Sequence, residues 1–233
     1  MSTNTVRQER ALDATKSMTL EVPISVAIKS AAAMLTSTSK DTVTPVLTSA
    51  LFSGAELFAT DRYKAVRFPM PTPRPGSQDR LVLGDEFLIP QDALTWVSKL
   101  ALRSLEHGRG PALTVPDRGY TIRYERDPDA GTVTASVVDM FGIVERSETF
   151  AEITGNYPPI QRLFEKAPAD GGGTHEFGPK YLGVILAYCT KHGDGAPVAL
   201  TTLAPAYPNA APGMLIEGGG ATFLLMGYRD TRG

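Results

Sequence analysis

The chain has 233 residues, 42% of them hydrophobic and 21% charged, which is enough for one large or two small globular domains with a substantial core. Twenty-five acidic residues against twenty-three basic ones leave a net charge of −2, and this balance alone carries no signature of a polyanion-binding protein. The single cysteine, Cys189, excludes an intramolecular disulfide, and no uncharged apolar run approaches the roughly 20 residues of a membrane span, so a soluble cytoplasmic protein without a membrane partner is expected.

Residues 1–17 are polar, mixed in charge and without apolar periodicity, and they read as a tail. From Met18 a plan begins that occurs three times: a short extended segment meets a proline and runs into an amphipathic helix. The three copies are LEVPISVAIKSAAAML (20–35), FLIPQDALTWVSKLAL (87–102) and HEFGPKYLGVILAY (175–188). Proline suits the first turn of a helix, where its missing N–H would have had no partner. The third, fourth and seventh positions after Pro23 are Val26, Ala27 and Ser30. After Pro90 they are Ala93, Leu94 and Val97, and after Pro179 they are Leu182, Gly183 and Leu186. One face of each helix is therefore largely apolar at helical spacing.

Strand signals follow each helix. In 44–68 two or three short strands turn at Ser53-Gly54 and Thr60-Asp61, and a proline-rich loop follows at 69–80. In 112–150 β-branched and aromatic runs are broken by the turn signals PDRG and DPDAG. A glycine-rich linker at 166–174 leads to the third copy, whose strands are PVALTTL, MLIEGG and ATFLLMGYR. Gly218, Gly219 and Gly220 precede a strand and lack a following Lys-Ser/Thr, so they read as a hairpin turn and not a phosphate loop. The implied class is α+β with antiparallel sheets, built from three strand-helix-three-strand repeats. Two repeats fall in 18–165 and one in 175–233.

The charge is unevenly spread. The helical windows 24–38, 91–105 and 180–192 hold Lys29, Lys99, Arg103, Lys180 and Lys191 against one acid, Asp92, while the rest of the chain holds eighteen basic and twenty-four acidic residues. A surface shared by the three helices could follow a phosphate backbone without reading bases. The competing reading is that these lysines only solvate the outer faces of amphipathic helices.

Several strings carry a resemblance to one family. TPVLTSALFSGAELFATDRYKAVRF, FLIPQDALTWVSKL, ITGNYPPIQRLFEK, HEFGPKYLGVILAY and MLIEGGGATFLLMGYR, in that order and at similar spacing, resemble segments of the bacterial DNA polymerase III beta sliding clamp. The resemblance covers 18–165 as a complete middle domain and 175–229 as the second half of the last domain. Departures include Pro159 and Ile160 where the family favours Asp-Tyr, Glu165 for a proline and Gly227 at the terminal proline position.

The resemblance implies a DNA-clamp fold with sheets outside and helices lining a channel. It also implies a non-enzymatic processivity factor for DNA replication, reduced and divergent, of bacterial or bacteriophage origin. Such a factor encircles double-stranded DNA and tethers a DNA polymerase. Twelve repeats close the family's ring, so three per chain imply a head-to-tail homo-oligomer of four. The alternative is a clamp-like protein that forms no ring and modulates a host clamp, clamp loader or polymerase.

The resemblance assigns Lys29, Lys99, Arg103, Lys180 and Lys191 to DNA, with Lys40 and Arg109 as weaker candidates. It assigns Thr60, Tyr63, Ala65, Val66, Pro158, Leu163, Leu224 and Met226 to an apolar pocket for short linear peptides of the polymerase and clamp loader, against the alternative of ordinary packing. No cofactor is implied. Cys189 and His192 have Cys-x-x-His spacing, but His107 and His175 supply no second pair, so no metal site is expected. Asp61 and Arg62 are expected to form a local ion pair.

Overall fold

Pro23 and Pro90 each end a strand and open a helix. In the computed structural model, which describes residues 17–71, 86–103, 114–116, 119–165, 177–204 and 212–227, the chain begins with β1 (Met18–Pro23) and α1 (Ile24–Ser37). Ile24, Ala27, Ala31 and Met34 form the buried stripe of α1, and Thr38, with extended backbone, ends it by donating its N–H to Met34 O at 2.9 Å. The start of the stretch 44–68, where short strands were expected, is instead a 3₁₀ turn at Pro45–Thr48, where the proline removes a ladder donor and Leu47 N–H bonds back to Thr44 O. Then come β2 (Ser49–Ser53), β3 (Glu56–Thr60) and β4 (Lys64–Pro69).

The second copy of the plan is β5 (Phe87–Pro90) and α2 (Gln91–Ser98), which buries Ala93, Leu94 and Val97. This helix is shorter than the window 91–105: N–H groups of Lys99 and Leu100 bond to Trp96 O and Val97 O, a tight closing turn that delivers Leu100 into the core. The short strands β6 (Ala101–Arg103) and β7 (Thr114–Pro116) pair in parallel, an exception to the antiparallel expectation. After them come β8 (Tyr120–Asp127), β9 (Thr132–Asp139), β10 (Val144–Ala151) and α3 (Gln161–Glu165). The third copy is α4 (Pro179–His192), β11 (Ala199–Leu203), β12 (Gly213–Gly218) and β13 (Ala221–Met226). The expected tail, most of the proline-rich loop and the linker lie outside the described residues.

The repeats are not sealed from one another. β1 of the first copy joins the sheet of the second, in the order β1-β8-β9-β10, and β5 of the second joins the sheet of the first. That sheet continues into the third copy through the β13–β4 pair, giving seven strands in the order β11-β12-β13-β4-β3-β2-β5. One apolar cluster gathers buried residues of all three long helices, including Met34, Leu94 and Ile185, with Val66, Ile122, Val137 and Phe223 from the strands. α1 packs against both α2 and α4, and the three helices share this core. A second, smaller cluster lies on the opposite face of the seven-stranded sheet.

Candidate functional site

The second cluster is built by alternation. β3 reads Glu-Leu-Phe-Ala-Thr: Leu57 and Ala59 belong to the helix-side core, while Phe58 and, two residues on, Thr60 take the other face. Register then aligns Thr60 with Ala65 and Ala65 with Leu224, a cross-strand row over β3, β4 and β13 that continues to Leu215 on β12. Leu51, Phe58, Leu88 and Leu203 extend the apolar floor, and Ile153, Tyr157, Ile160 and Phe164 fold over it. Phe164 lies 6.2 Å from Phe58, ring to ring, and the guanidinium of Arg67, the cross-strand partner of Phe58, lies over the same ring at 5.4 Å. Tyr157 donates its hydroxyl to Ser49 O at 3.4 Å; burial pushes its phenol pKa up, opposed in part by a hydrogen bond with the Thr60 backbone.

The sequence-assigned peptide residues divide on this frame. Thr60, Ala65 and Leu224 form the row just described. Met226 adjoins it, its N–H donating to Tyr63 O at 2.9 Å and its side chain 39% exposed. Pro158 is half-buried at the start of the overlying segment, and Leu163 on α3 is 48% exposed. Tyr63 is exposed and stacks on Tyr181 of α4 with ring centres 5.7 Å apart. Val66 does not belong with them: at 0% exposure it faces the helix-side core, because neighbouring residues of a strand point to opposite faces.

The turn between β3 and β4 corrects another expectation. Asp61 pairs with Lys64 and not with Arg62. Its Oδ1 accepts the N–H groups of Tyr63 and Lys64 at 3.0 and 2.9 Å, which leaves Oδ2 for the Lys64 ammonium. Arg62, at φ 78°, points instead to the Thr44 hydroxyl. Beyond Arg67 the same sheet face carries a shallow groove of about 340 Å³ between Glu56, Arg67 and Glu217, where Glu56 and Arg67 lie 3.8 Å apart.

On the helix side, Lys29 of α1 and Lys191 of α4 converge on His192. Desolvation, then Lys191, then Lys29, hold the His192 pKa below its ordinary value, while Asp194 opposes them. Asp194 also reaches Lys29 at 3.8 Å. The two helices meet where the Tyr188 hydroxyl lies 3.0 Å from Gly219 O and 3.4 Å from Lys29 O. Lys180 is exposed in the first turn of α4. Lys99 is exposed at the end of α2, and Arg103 sits in β6, so neither is a residue of the helix body as the window 91–105 had them. The Arg103 side chain, Arg109, His107 and His175 lie outside what is described, and Lys40 is exposed beyond α1.

Cys189 is buried against Gly218, where an added Cβ would meet its sulfur at 2.9 Å, and burial raises its thiol pKa. The His192 ring packs on Tyr188 with centroids 4.7 Å apart. Both residues of the Cys-x-x-His spacing are thus packed into the α4–β12–β13 junction. Among the described residues no three His, Cys, Asp or Glu side chains cluster as metal ligands, and no helix is long and apolar enough to cross a membrane.

Sequence reasoning missed Phe58, Ile160 and Phe164 as parts of the outer cluster. The available signal was the unbroken apolar run Leu57-Phe58-Ala59, which marks a strand buried on both faces.

No family model matches the sequence, and no curated protein matches it. Solved structures do match in fold. The DNA polymerase sliding clamp of Pseudomonas aeruginosa superposes with a TM-score of 0.59 at 12% identity, over 91% of this chain and 67% of that one. The beta sliding clamp of C. crescentus gives 0.51 at 12% identity, over 91% and 66%, and the DNA polymerase III beta chain of Streptococcus pneumoniae gives 0.51 at 13%, over 98% and 69%. The match thus spans just under two thirds of the C. crescentus chain. With antiparallel sheets on one side and the long helices on the other, the chain has the fold of the bacterial DNA polymerase III beta sliding clamps.

Proposed function

We propose that the protein is a sliding clamp: a homo-oligomeric ring around duplex DNA that tethers a polymerase through short peptides. The observation that carries this reading is the two-sidedness of the seven-stranded sheet. One face holds helices that carry the exposed Lys180 and Lys191 and the half-buried Lys29; the other holds the apolar row Thr60–Ala65–Leu224 with Leu163 and Met226 accessible beside it. Lysines on helices suit contacts with phosphate that carry no sequence information, and an apolar floor bordered by a flexible methionine suits peptide anchors. Three repeats per chain and twelve per ring give four chains. The division into 18–165 and 175–233, with a linker between, belongs to the same reading.

Retention on DNA tests it. The protein assembled on a circular plasmid is expected to stay bound and to be released when the circle is linearised. Lys29→Glu with Lys191→Glu should weaken loading and flatten its salt dependence, by about 0.9 in log–log slope for each phosphate contact removed. Equal release from circles and linear DNA would overturn the clamp reading in favour of a modulator that binds other replication proteins without a ring.

A further inference from the structure

The ladder between β2 and β3 stops short of Thr60. It runs through Ser53–Glu56, Phe52–Leu57 and Leu51–Phe58, and the same register would continue through Ala50–Ala59 to Ser49–Thr60. Hydrogen-bonded pairs alternate along an antiparallel ladder, and the two-residue turn at Gly54 and Ala55, with φ 58° and 74°, makes Ser53–Glu56 one of them. Leu51–Phe58 is the next such pair, and Ser49–Thr60 would follow it. The turn before β2 prevents that pair, because Ser49 N–H closes the 3₁₀ helix by donating to Val46 O and is not offered to Thr60. On its other side β3 stays paired, with Thr60 opposite Ala65 of β4.

The Tyr157 hydroxyl occupies this gap. It donates to Ser49 O at 3.4 Å and bonds with the Thr60 backbone. The second bond works to lower the phenol pKa, as a bond donated to the oxygen does, so Thr60 N–H is its donor. One side-chain oxygen therefore serves both the donor and the acceptor of the absent Thr60–Ser49 bond. The Thr60 hydroxyl cannot take its place: it is committed to its own turn, donating to Lys64 O at 2.9 Å and accepting Arg62 N–H at 3.1 Å. The chain that brings Tyr157 to the gap fits as closely. Gly155 has φ 136°, and a Cβ there would meet Val46 Cγ1, in the same 3₁₀ turn, at 2.7 Å.

We propose that Tyr157 is a positioning residue of the outer face: its hydroxyl stands in for the missing rung, and so holds the segment bearing Pro158, Ile160 and Leu163 at a fixed place over the row that starts at Thr60. The floor and the cover of that site come from distant parts of the chain, 108 positions apart at Ser49 and Tyr157, and this bridge joins them. A phenylalanine ring would fill the same space in the outer cluster, so the hydroxyl sets placement and the ring supplies packing. The consequence for peptide binding rests on the clamp reading; the bridge itself does not.

Tyr157→Phe in the full chain tests it. Amide hydrogen exchange followed by NMR should be about tenfold faster at Thr60, the size of one hydrogen bond to a buried group, while the Leu51 and Phe58 amides keep their protection. A fluorophore-labelled clamp-binding peptide should bind the variant about fivefold more weakly by anisotropy. Tyr188→Phe is the control: it removes a hydroxyl bonded to Gly219 O at the α4 junction and should leave both readouts at their original values. An unchanged Thr60 amide in Tyr157→Phe overturns the bridge. So does equal peptide affinity with and without the hydroxyl, or a Tyr188→Phe protein that changes as much as Tyr157→Phe, since general loosening would then explain both. If the unsubstituted chain binds no peptide, the peptide reading falls and the Ile160 methyl resonance decides the positioning role: a shift in Tyr157→Phe upholds it, and an unmoved resonance overturns it.

Discussion

At His192 a single side chain reports on the meeting of α1 and α4. Lys29 and Lys191 press on the imidazole from two helices and burial adds to them, so the folded protein holds the ring neutral below its ordinary pKa. The unfolded chain then binds a proton before the folded one does. Stability is full at neutral pH and falls as the pH drops from about 6.5 toward the depressed folded value. Urea denaturation at pH 7.5 and pH 5.5 should show this loss, and His192→Gln should remove part of it; an unchanged pH dependence in the variant would place the titration elsewhere. The sequence offered Cys189 and His192 as a spacing, and that spacing was legible. What they pack against was not, because Tyr188, Gly218 and Gly219 reach them from another turn of the helix and another strand.

Among the elements, the hairpin of β12 and β13 shows how far local rules extend. Gly219 and Gly220 have φ 61° and 79°, the left-handed pair that a two-residue hairpin turn requires, so two of the three glycines read as a turn form one, while Gly218 ends β12 paired with Ala221. Local rules do not say that one of them is also a packing position. A Cβ on Gly219 would come within 2.8 Å of the Tyr188 ring, whereas one on Gly220 would meet Phe68 only at 3.9 Å. Left-handed backbone costs an ordinary residue roughly 1–2 kcal/mol, so Gly220→Ala should lose about that much and Gly219→Ala measurably more. Equal unfolding midpoints for the two variants would show that the Tyr188 contact yields without cost. The turn between β9 and β10 is the reverse case. Asp139 accepts the N–H groups of Phe141 and Ile143 at 2.9 and 2.8 Å, and Gly142 has φ 83°. The Asp and Gly were visible in the sequence, but the apolar Met140, Phe141 and Ile143 around them disguised the turn.

Over the whole molecule the outer cluster exists because the third copy of the plan meets the first. Leu224 comes from β13, Ala65 from β4, and Ile160 and Phe164 from the segment that leaves the second copy, so no short stretch of chain contains the site. In the clamp reading, a clamp-binding peptide labelled with a fluorophore is expected to bind there. Leu163→Asp should then weaken binding about tenfold or more, read by fluorescence anisotropy. Leu163 is 48% exposed, and exposed substitutions are usually within about 0.5 kcal/mol of neutral, so the unfolding midpoint should hold. Undiminished binding to that variant would move the peptide elsewhere.

The sequence by itself determined the three proline-opened helices, the antiparallel runs β2–β4, β8–β10 and β11–β13 and the uneven charge, since all depend on neighbours within a few residues: a ring that fixes φ, an apolar period, a turn residue. Tertiary structure alone decided which plan's strand completes which sheet, that Val66 faces the helices while Ala65 faces the outer cluster, that Arg103 leaves the helix for a strand, and that Asp61 chooses Lys64 over Arg62. These outcomes turn on register and on side chains brought together from distant parts of the chain, and a one-residue difference in register changes the face on which a strand residue stands.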